Sequence, residues 1–398
     1  MGLGEINLLN NGNQYQSGAA FLLNQQCKHS SSIIVDHDWQ VVIEKRNPYL
    51  IVWGPNSFKK DLLDITYEKA QKGLDLFSIK NLGNYSLQKS QETYLLWWTE
   101  NESKILRLLD VIDINFAVNG SVVIVKDGNV VPDPIPLEQY HPALRYFRLS
   151  QTSDDMFDAY RNLWLSFELL ISYVYPKQSK EREYDWLIRA LKSIDLKYQL
   201  PAFSKQPKNP KDIIARLYTD ARLPLFHAKD SQLHYIPQNL TNRTAILEAL
   251  NELSRIVIFL SEKVLDFHRP AGGITKFAFD NTIVSMLKQA RIIIPPKSIN
   301  SDPPELLKDI FWENALTIPT RYAPDYSQAG RQFIFGEIDT AIISKIRKIK
   351  TFGLRDETDL MASYSTEAEI VVEGFDKVEI LLGTQLVNIQ QPKQFYKT

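Results

Sequence analysis

The feature that most constrains the fold is a run of helical patterns in the middle of the chain. Apolar residues recur at helical spacing in four segments between residues 153 and 268, and short polar connections join them. The last segment, 241 to 267, carries a continuous apolar stripe made of Ile246, Leu250, Leu253, Val257, Leu260 and Val264. Amphipathic segments of this kind with short connections predict a helical bundle.

The regions on either side carry shorter, strand-like patterns. Before the helical region, apolar runs predict strands at 32–35, 39–43, 49–53 and 94–98, and an Asp-Gly turn predicts a hairpin at 122–131. Near the end of the sequence, the runs 368–373 and 378–382 flank residues 374–377 like a second hairpin. We therefore predict an α+β multidomain protein, in which a central helical bundle is flanked by N-terminal and C-terminal β-containing domains. The predicted boundaries are 1–145, 150–268 and 270–398.

The composition of the sequence limits the classes of protein to which the chain can belong. The 398 residues carry a formal net charge of −1, so any nucleic-acid site must be a local patch or a groove formed by assembly. Cys27 is the only cysteine, which excludes internal disulfides and thiolate metal clusters and fits a reducing cytoplasm. The sequence begins without the pattern of a signal peptide, and no apolar run approaches the roughly 18 residues of a membrane span. We expect a cytoplasmic protein without membrane partners.

Arg222 and His227 stand with four residues between them near the end of the third helical pattern. A guanidinium can bind a phosphate through two hydrogen bonds, and an imidazole can move the proton of a ribose 2′-hydroxyl. In a straight helix, residues five apart are rotated by about 140° and do not share a face. Pro224 predicts a break after Leu223 and a new short turn, which would bring the two side chains together. Alternatively, Arg222 caps a helix C-terminus and His227 is a satisfied interface histidine.

Three segments of the helical region carry a family resemblance. The first helical pattern contains residues 162–168 with their aromatic residues and a glutamate, a polar hinge leads to residues 183–187, and residues 217–229 place a tyrosine before the Arg-x4-His spacing. Together they resemble the HEPN superfamily, in the form found in MauJ-like and antiphage proteins. The resemblance covers about 120 residues and says nothing of either flank. Leu223 departs from the pattern, because active members commonly place a polar residue after the arginine.

The resemblance implies a metal-independent endoribonuclease of prokaryotic antiphage defence or stress response, without a metal or cofactor. His227 would act as general base or acid, and Arg222 would neutralise the phosphate. Glu168 would hold Arg222 in place, or alternatively it is a surface or structural ion-pair carboxylate. The product would carry a 2′,3′-cyclic phosphate. Because family active sites usually form at a dimer interface, a homodimer is expected, in which Lys229 and Arg216 contribute to RNA binding.

A non-catalytic HEPN-type scaffold, or a nucleotide- or RNA-binding interaction module, is the alternative. Leu223 and the absence of an overall basic charge favour it. In the ribonuclease hypothesis, the flanking domains would sense or restrain the activity in response to a protein or nucleotide trigger.

Three further patterns have weaker functional readings. Trp97 and Trp98 could stack bases, although adjacent aromatic residues in a strand usually divide between core and surface. The basic run 345–350 could contact phosphate, although it also fits a solvated helix face. Strand alternation turns His37 away from Asp36 and Asp38, so we predict no metal site there.

Overall fold

The computed structural model describes most of the chain in two compact units. One unit comprises residues 1–115 and 275–386, and the other comprises 116–274 and 387–398. The described residues are 5–9, 15–55, 59–90, 92–115, 124–126, 129–131, 140–200, 209–226, 234–267, 274–296, 312–357, 359–387, 393 and 395. Two predicted site residues, His227 and Lys229, and the Asp127-Gly128 turn lie outside them.

The first part of the first unit consists of strands and one long helix. They are β1 (Glu5–Ile6), β2 (Ser17–Leu22), β3 (Ser31–Val35), β4 (Trp39–Ile43), β5 (Tyr49–Gly54), α1 (Lys59–Ile79), β6 (Thr93–Glu100) and β7 (Ser103–Asn115).

The second unit is mainly helical. It contains β8 (Ile124–Lys126), β9 (Asn129–Val131), α2 (Ala143–Thr152), α3 (Met156–Val174), α4 (Glu183–Tyr198), α5 (Pro210–Ile214), a π-helix (Ala215–Arg222), α6 (Leu223–Phe226) and α7 (Leu240–Val264).

The chain then returns to the first unit. The remaining elements are α8 (Lys276–Gln289), β10 (Arg291–Ile294), β11 (Leu316–Ile318), β12 (Thr320–Tyr322), a 3₁₀ turn (Pro324–Tyr326), β13 (Arg331–Asp339), α9 (Thr340–Ile346), β14 (Lys348–Arg355), β15 (Leu360–Val371) and β16 (Lys377–Val387).

Two sheets dominate the first unit. The larger one contains strands from both segments of the chain that form this unit. Its nine strands run in the order β12-β13-β16-β7-β6-β2-β5-β4-β3, and the five-stranded sheet runs β1-β15-β14-β10-β11. The predicted architecture, a central bundle between separate N-terminal and C-terminal β-containing domains, is therefore wrong. The described chain is sheet-rich, and β16 lies beside β7 in one sheet. Both strands are buried along most of their length, as is typical of strands inside a sheet.

The predicted C-terminal hairpin is also wrong, because β15 and β16 belong to different sheets. The chain crosses between them at Gly374, whose φ of 93° favours glycine, and Phe375 is buried next to it. The apolar pattern of a strand does not show whether it pairs with the next strand in the sequence or belongs to another sheet. The hairpin around the Asp-Gly turn is confirmed for its described strands, since β8 pairs antiparallel with β9.

The core of the second unit lies between α3 and its neighbours, chiefly α7. Tyr160, Trp164 and Phe167 are fully buried on α3, in the apolar stripe that the sequence shows. Asp155 begins this helix, where its carboxylate accepts hydrogen bonds from two backbone N–H groups of the first turn. Among the helices of the described ranges, none combines the length and apolar character needed to cross a membrane.

Candidate functional site

The chain enters the candidate site through the π-helix that ends at Arg222. The Tyr160 hydroxyl donates a 2.6 Å hydrogen bond to the Leu217 carbonyl, and the Leu223 N–H bonds the carbonyl of Tyr218, five residues earlier. A side chain that occupies a helix carbonyl competes with the regular ladder, which is consistent with the wider π turn. Such π segments occur frequently at functional sites.

The predicted break at Pro224 is absent. Leu223 has helical backbone angles, with φ −59° and ψ −50°, and α6 follows the π-helix directly. Pro224 is the second residue of α6, in a first turn where proline is tolerated. Arg222 does end one helical element, as predicted, but the chain continues as a helix.

Two carboxylates converge on one nitrogen of Arg222. Its Nη2 atom lies 3.1 Å from Oε1 of Glu183 and 3.9 Å from Oε1 of Glu168. Tyr218, one turn earlier in the π-helix, donates its hydroxyl hydrogen to Oε2 of Glu183 at 3.1 Å. The structure thus places Glu168 near Arg222, as the sequence suggested. Glu183 is closer, and its role was missed because its position in the first turn of α4 does not reveal what it faces.

Aromatic rings surround the guanidinium. The Cζ atom of Arg222 lies 5.1 Å from the ring centres of both Tyr218 and Phe226 and 5.9 Å from that of Trp164. This range is that of cation–π contacts. The Nε atom is buried and has no hydrogen-bond partner among the described residues. Arg222 is therefore held in position while one of its donors stays unused.

Glu168 titrates near neutrality. Burial raises the pKa of its carboxyl group to about 7, and the neighbouring Glu183 adds to this, while Trp164 and Arg222 act in the opposite direction. A group with such a pKa can both give and accept a proton at neutral pH. Burial and Glu183 also raise the pKa of Tyr218, so its hydroxyl keeps its proton.

The predicted RNA-binding residue Arg216 is engaged elsewhere. Its Nη2 atom lies 2.5 Å from Oε1 of Glu252 and its Nε atom 3.0 Å from Oε2, and both side chains are largely buried. A phosphate would have to compete with this ion pair.

The structure also shows where two of the patterns with weaker functional readings lie. In the part of the chain that the structure describes, no group of three or more His, Cys, Asp or Glu side chains is arranged to hold a metal ion. The basic run 345–350 spans the end of α9 and the start of β14; Lys348 pairs with Glu5 at 2.9 Å, and Lys350 is buried. It is therefore not one solvated helix face.

Comparisons with known proteins found no match for this chain among protein-family models, curated proteins or solved structures.

Proposed function

We propose that the chain is a metal-independent endoribonuclease of the HEPN type, in which Arg222 binds the scissile phosphate. The observation that supports this best is the state of Arg222. Its side chain is 16% exposed and is fixed in place by aromatic rings and carboxylates. A partly exposed, preorganised cation stabilises negative charge as it develops on a phosphate.

In the proposed reaction, the ribose 2′-oxygen attacks phosphorus and the bond from phosphorus to the 5′-oxygen breaks. The products carry a 2′,3′-cyclic phosphate and a 5′-hydroxyl. His227 takes the 2′-hydroxyl proton or delivers one to the leaving oxygen. Glu168 is the second proton-transfer group, because its pKa of about 7 suits this duty. Glu183 and Tyr218 position Arg222.

The proposed biological setting is prokaryotic antiphage defence or stress response, with the sheet-rich unit sensing a trigger. A homodimer joined through the helical unit would add a second Arg222 and His227, and Lys229 would extend the phosphate-binding surface. Isologous dimers are the commonest assembly of soluble proteins.

One observation favours a second function, a non-catalytic interaction module. Glu183 and Glu168 already face the guanidinium of Arg222, so part of its charge is neutralised before any phosphate arrives. An RNA- or nucleotide-binding module would retain affinity for its ligand without cleaving it.

The decisive experiment uses purified protein and end-labelled RNA in the presence of EDTA. We expect cleavage by the wild type and loss of at least about 100-fold in rate for Arg222→Ala and for His227→Ala, because one removes charge stabilisation and the other proton transfer. Arg189→Ala is the matched control, since Arg189 also pairs with a glutamate in the helical unit, Glu181 at 2.7 Å. Cleavage at wild-type rates by both site variants would refute the proposal, and RNA binding without cleavage would support the interaction module.

A further inference from the structure

A pocket in the sheet-rich unit is unrelated to Arg222. It has a volume of about 220 Å³ and lies at the end of the β6–β7 hairpin. Its lining includes Tyr15, Gln16, Trp97, Thr99, Lys104 and Phe375.

The hairpin fixes three of the lining side chains on one face of the nine-stranded sheet. Thr99 and Lys104 are directly opposite each other across β6 and β7, and Trp97 is two residues before Thr99. Opposite residues of an antiparallel pair, and residues two apart in a strand, share a face. Trp98 takes the other face, where Lys59 and Arg107 cover its ring at 4.8 and 5.2 Å.

Close backbone contacts hold the pocket in shape. Gly18 is the partner of Trp97 on β2, and a Cβ atom at this glycine would come within 2.3 Å of the indole. The Trp97 ring can therefore lie over β2 only because residue 18 is glycine. On the other side, the Lys104 N–H donates to the Asp376 carboxylate at 2.8 Å, and the Asp376 N–H donates to the Lys104 carbonyl at 2.9 Å. These two bonds anchor the turn that carries Phe375.

The lining combines a closed aromatic floor with one accessible ring and one cation. Trp97 and Phe375 are 2% and 3% exposed, so they close the floor and offer a ligand almost no ring surface, whereas Tyr15 is half-buried at the side and can be reached by a ligand. The Lys104 ammonium has no carboxylate partner among the described residues. Aromatic floors with a few convergent polar groups are typical of sites for small organic ligands.

We propose that this pocket binds a small planar aromatic anion. The ring of the ligand packs against Tyr15 above the floor, its anionic group pairs with Lys104, and the side-chain amide of Gln16 offers hydrogen bonds at the mouth. The Thr99 hydroxyl holds this segment by donating to the Gln16 carbonyl at 3.2 Å. The volume accommodates one ring system with a short extension, which fits the nucleoside part of a mononucleotide or an aromatic carboxylate. This inference does not depend on the proposed ribonuclease activity.

The test is isothermal titration calorimetry on the full chain. The probes are the four nucleoside 5′-monophosphates, benzoate as an aromatic carboxylate, and ribose 5-phosphate as an anion without a ring. We expect at least one aromatic anion to bind and ribose 5-phosphate not to bind. Binding of nucleotides alone, or of benzoate alone, identifies which source of the shared chemistry the pocket accepts.

Variants connect the binding to the pocket. Lys104→Gln should weaken it at least about tenfold, the loss of one charge-assisted contact, and Tyr15→Ala should weaken it while Tyr15→Phe retains it. Lys345→Gln, which changes an exposed lysine of α9, is the control, and thermal melting confirms that each variant is folded. The proposal is overturned if no aromatic anion binds at millimolar concentration, if ribose 5-phosphate binds equally well, or if folded Lys104→Gln binds like the wild type.

Discussion

Two arginines, one in each unit, lie among aromatic rings and beside glutamates. Arg107 of the sheet-rich unit directs both its Nε and its Nη2 atoms to Oε2 of Glu379, the former at 2.9 Å. Its Cζ atom lies 5.2 Å from the Trp98 ring and 5.1 Å from the Tyr326 ring. Arg107 and Glu379 are 9% and 5% exposed, so this pair is closed to solvent.

Arg222 of the helical unit has similar neighbours in a different arrangement. Its Nη2 atom lies 3.1 Å from Glu183 and 3.9 Å from Glu168, its Nε atom is buried without a described partner, and the three side chains are 16% to 29% exposed. A buried pair with matched hydrogen bonds satisfies both charges and leaves nothing for a ligand. A partly exposed pair leaves room for an anion on the exposed part of the guanidinium. The same residue types therefore serve structure in one unit and, as we propose, chemistry in the other.

The largest effect should come from breaking the closed pair. Glu379→Ala would leave Arg107 buried without its partner, and we expect the free energy of unfolding to fall by about 3–5 kcal/mol. Urea denaturation followed by tryptophan fluorescence measures this. Glu5→Ala is the control, because Glu5 pairs with Lys348 on the surface of the same unit and should cost at most about 1 kcal/mol. Equal losses for the two variants would show that the buried Arg107–Glu379 pair contributes no more to stability than a surface ion pair.

The second prediction concerns pH. The folded pKa of Glu168, about 7, lies above its ordinary value of 4.5. The folded state holds this proton more tightly than the unfolded state, so the resulting stabilisation is complete below pH 4.5 and is lost as the pH rises through 7. Glu168→Gln removes this titrating group, so the stability of the helical unit should decline less between pH 4.5 and pH 7 than it does in the wild type.

Hydrogen exchange of peptides from α3 and β7, corrected for intrinsic rates, separates the two units. Burial also raises the pKa of Asp110, on β7, to about 7, so Asp110→Asn should flatten the decline in the sheet-rich unit instead. If Glu168→Gln left the pH dependence of protection in α3 unchanged, the assignment of a proton to Glu168 near neutrality would be incorrect.

The smallest effect should come from Tyr218→Phe. This change removes the hydroxyl that donates to Glu183 and keeps the ring beside Arg222. We expect a loss of about 1 kcal/mol in unfolding free energy and a reduction in RNA cleavage that is well below that of Arg222→Ala. Chemical denaturation and the labelled-RNA assay measure the two. An effect on cleavage as large as that of Arg222→Ala would mean that Tyr218 takes part in the reaction itself.

The sequence predicts the helices and strands of this molecule better than it predicts which of them pair or pack together. Strands β3 to β6, helix α4 and the stripe on α7 follow from local periodicity, which depends on residues close in the chain. The pairing of β7 with β16 joins residues far apart in sequence, and no local pattern encodes it. At the candidate site, the approach of Glu168 to Arg222 follows the expectation from the family resemblance, whereas that of Glu183 depends on how α4 packs. The π-helix depends on the Tyr160 hydroxyl, which arrives from another helix.

Because β16 lies beside β7, the nine-stranded sheet can be completed only after β16 has been synthesised. About 260 residues separate the end of β7 from the start of β16, so a ribosome needs on the order of tens of seconds to supply the missing neighbour. Throughout that interval one edge of a long apolar strand is without its final partner, and such an edge invites pairing with other chains. Residues 116–274 of the helical unit, whose contacts are more local, emerge in the meantime and can fold before β16 is made. The strands that precede the helical segment in the sequence are thus completed only after that segment has been made.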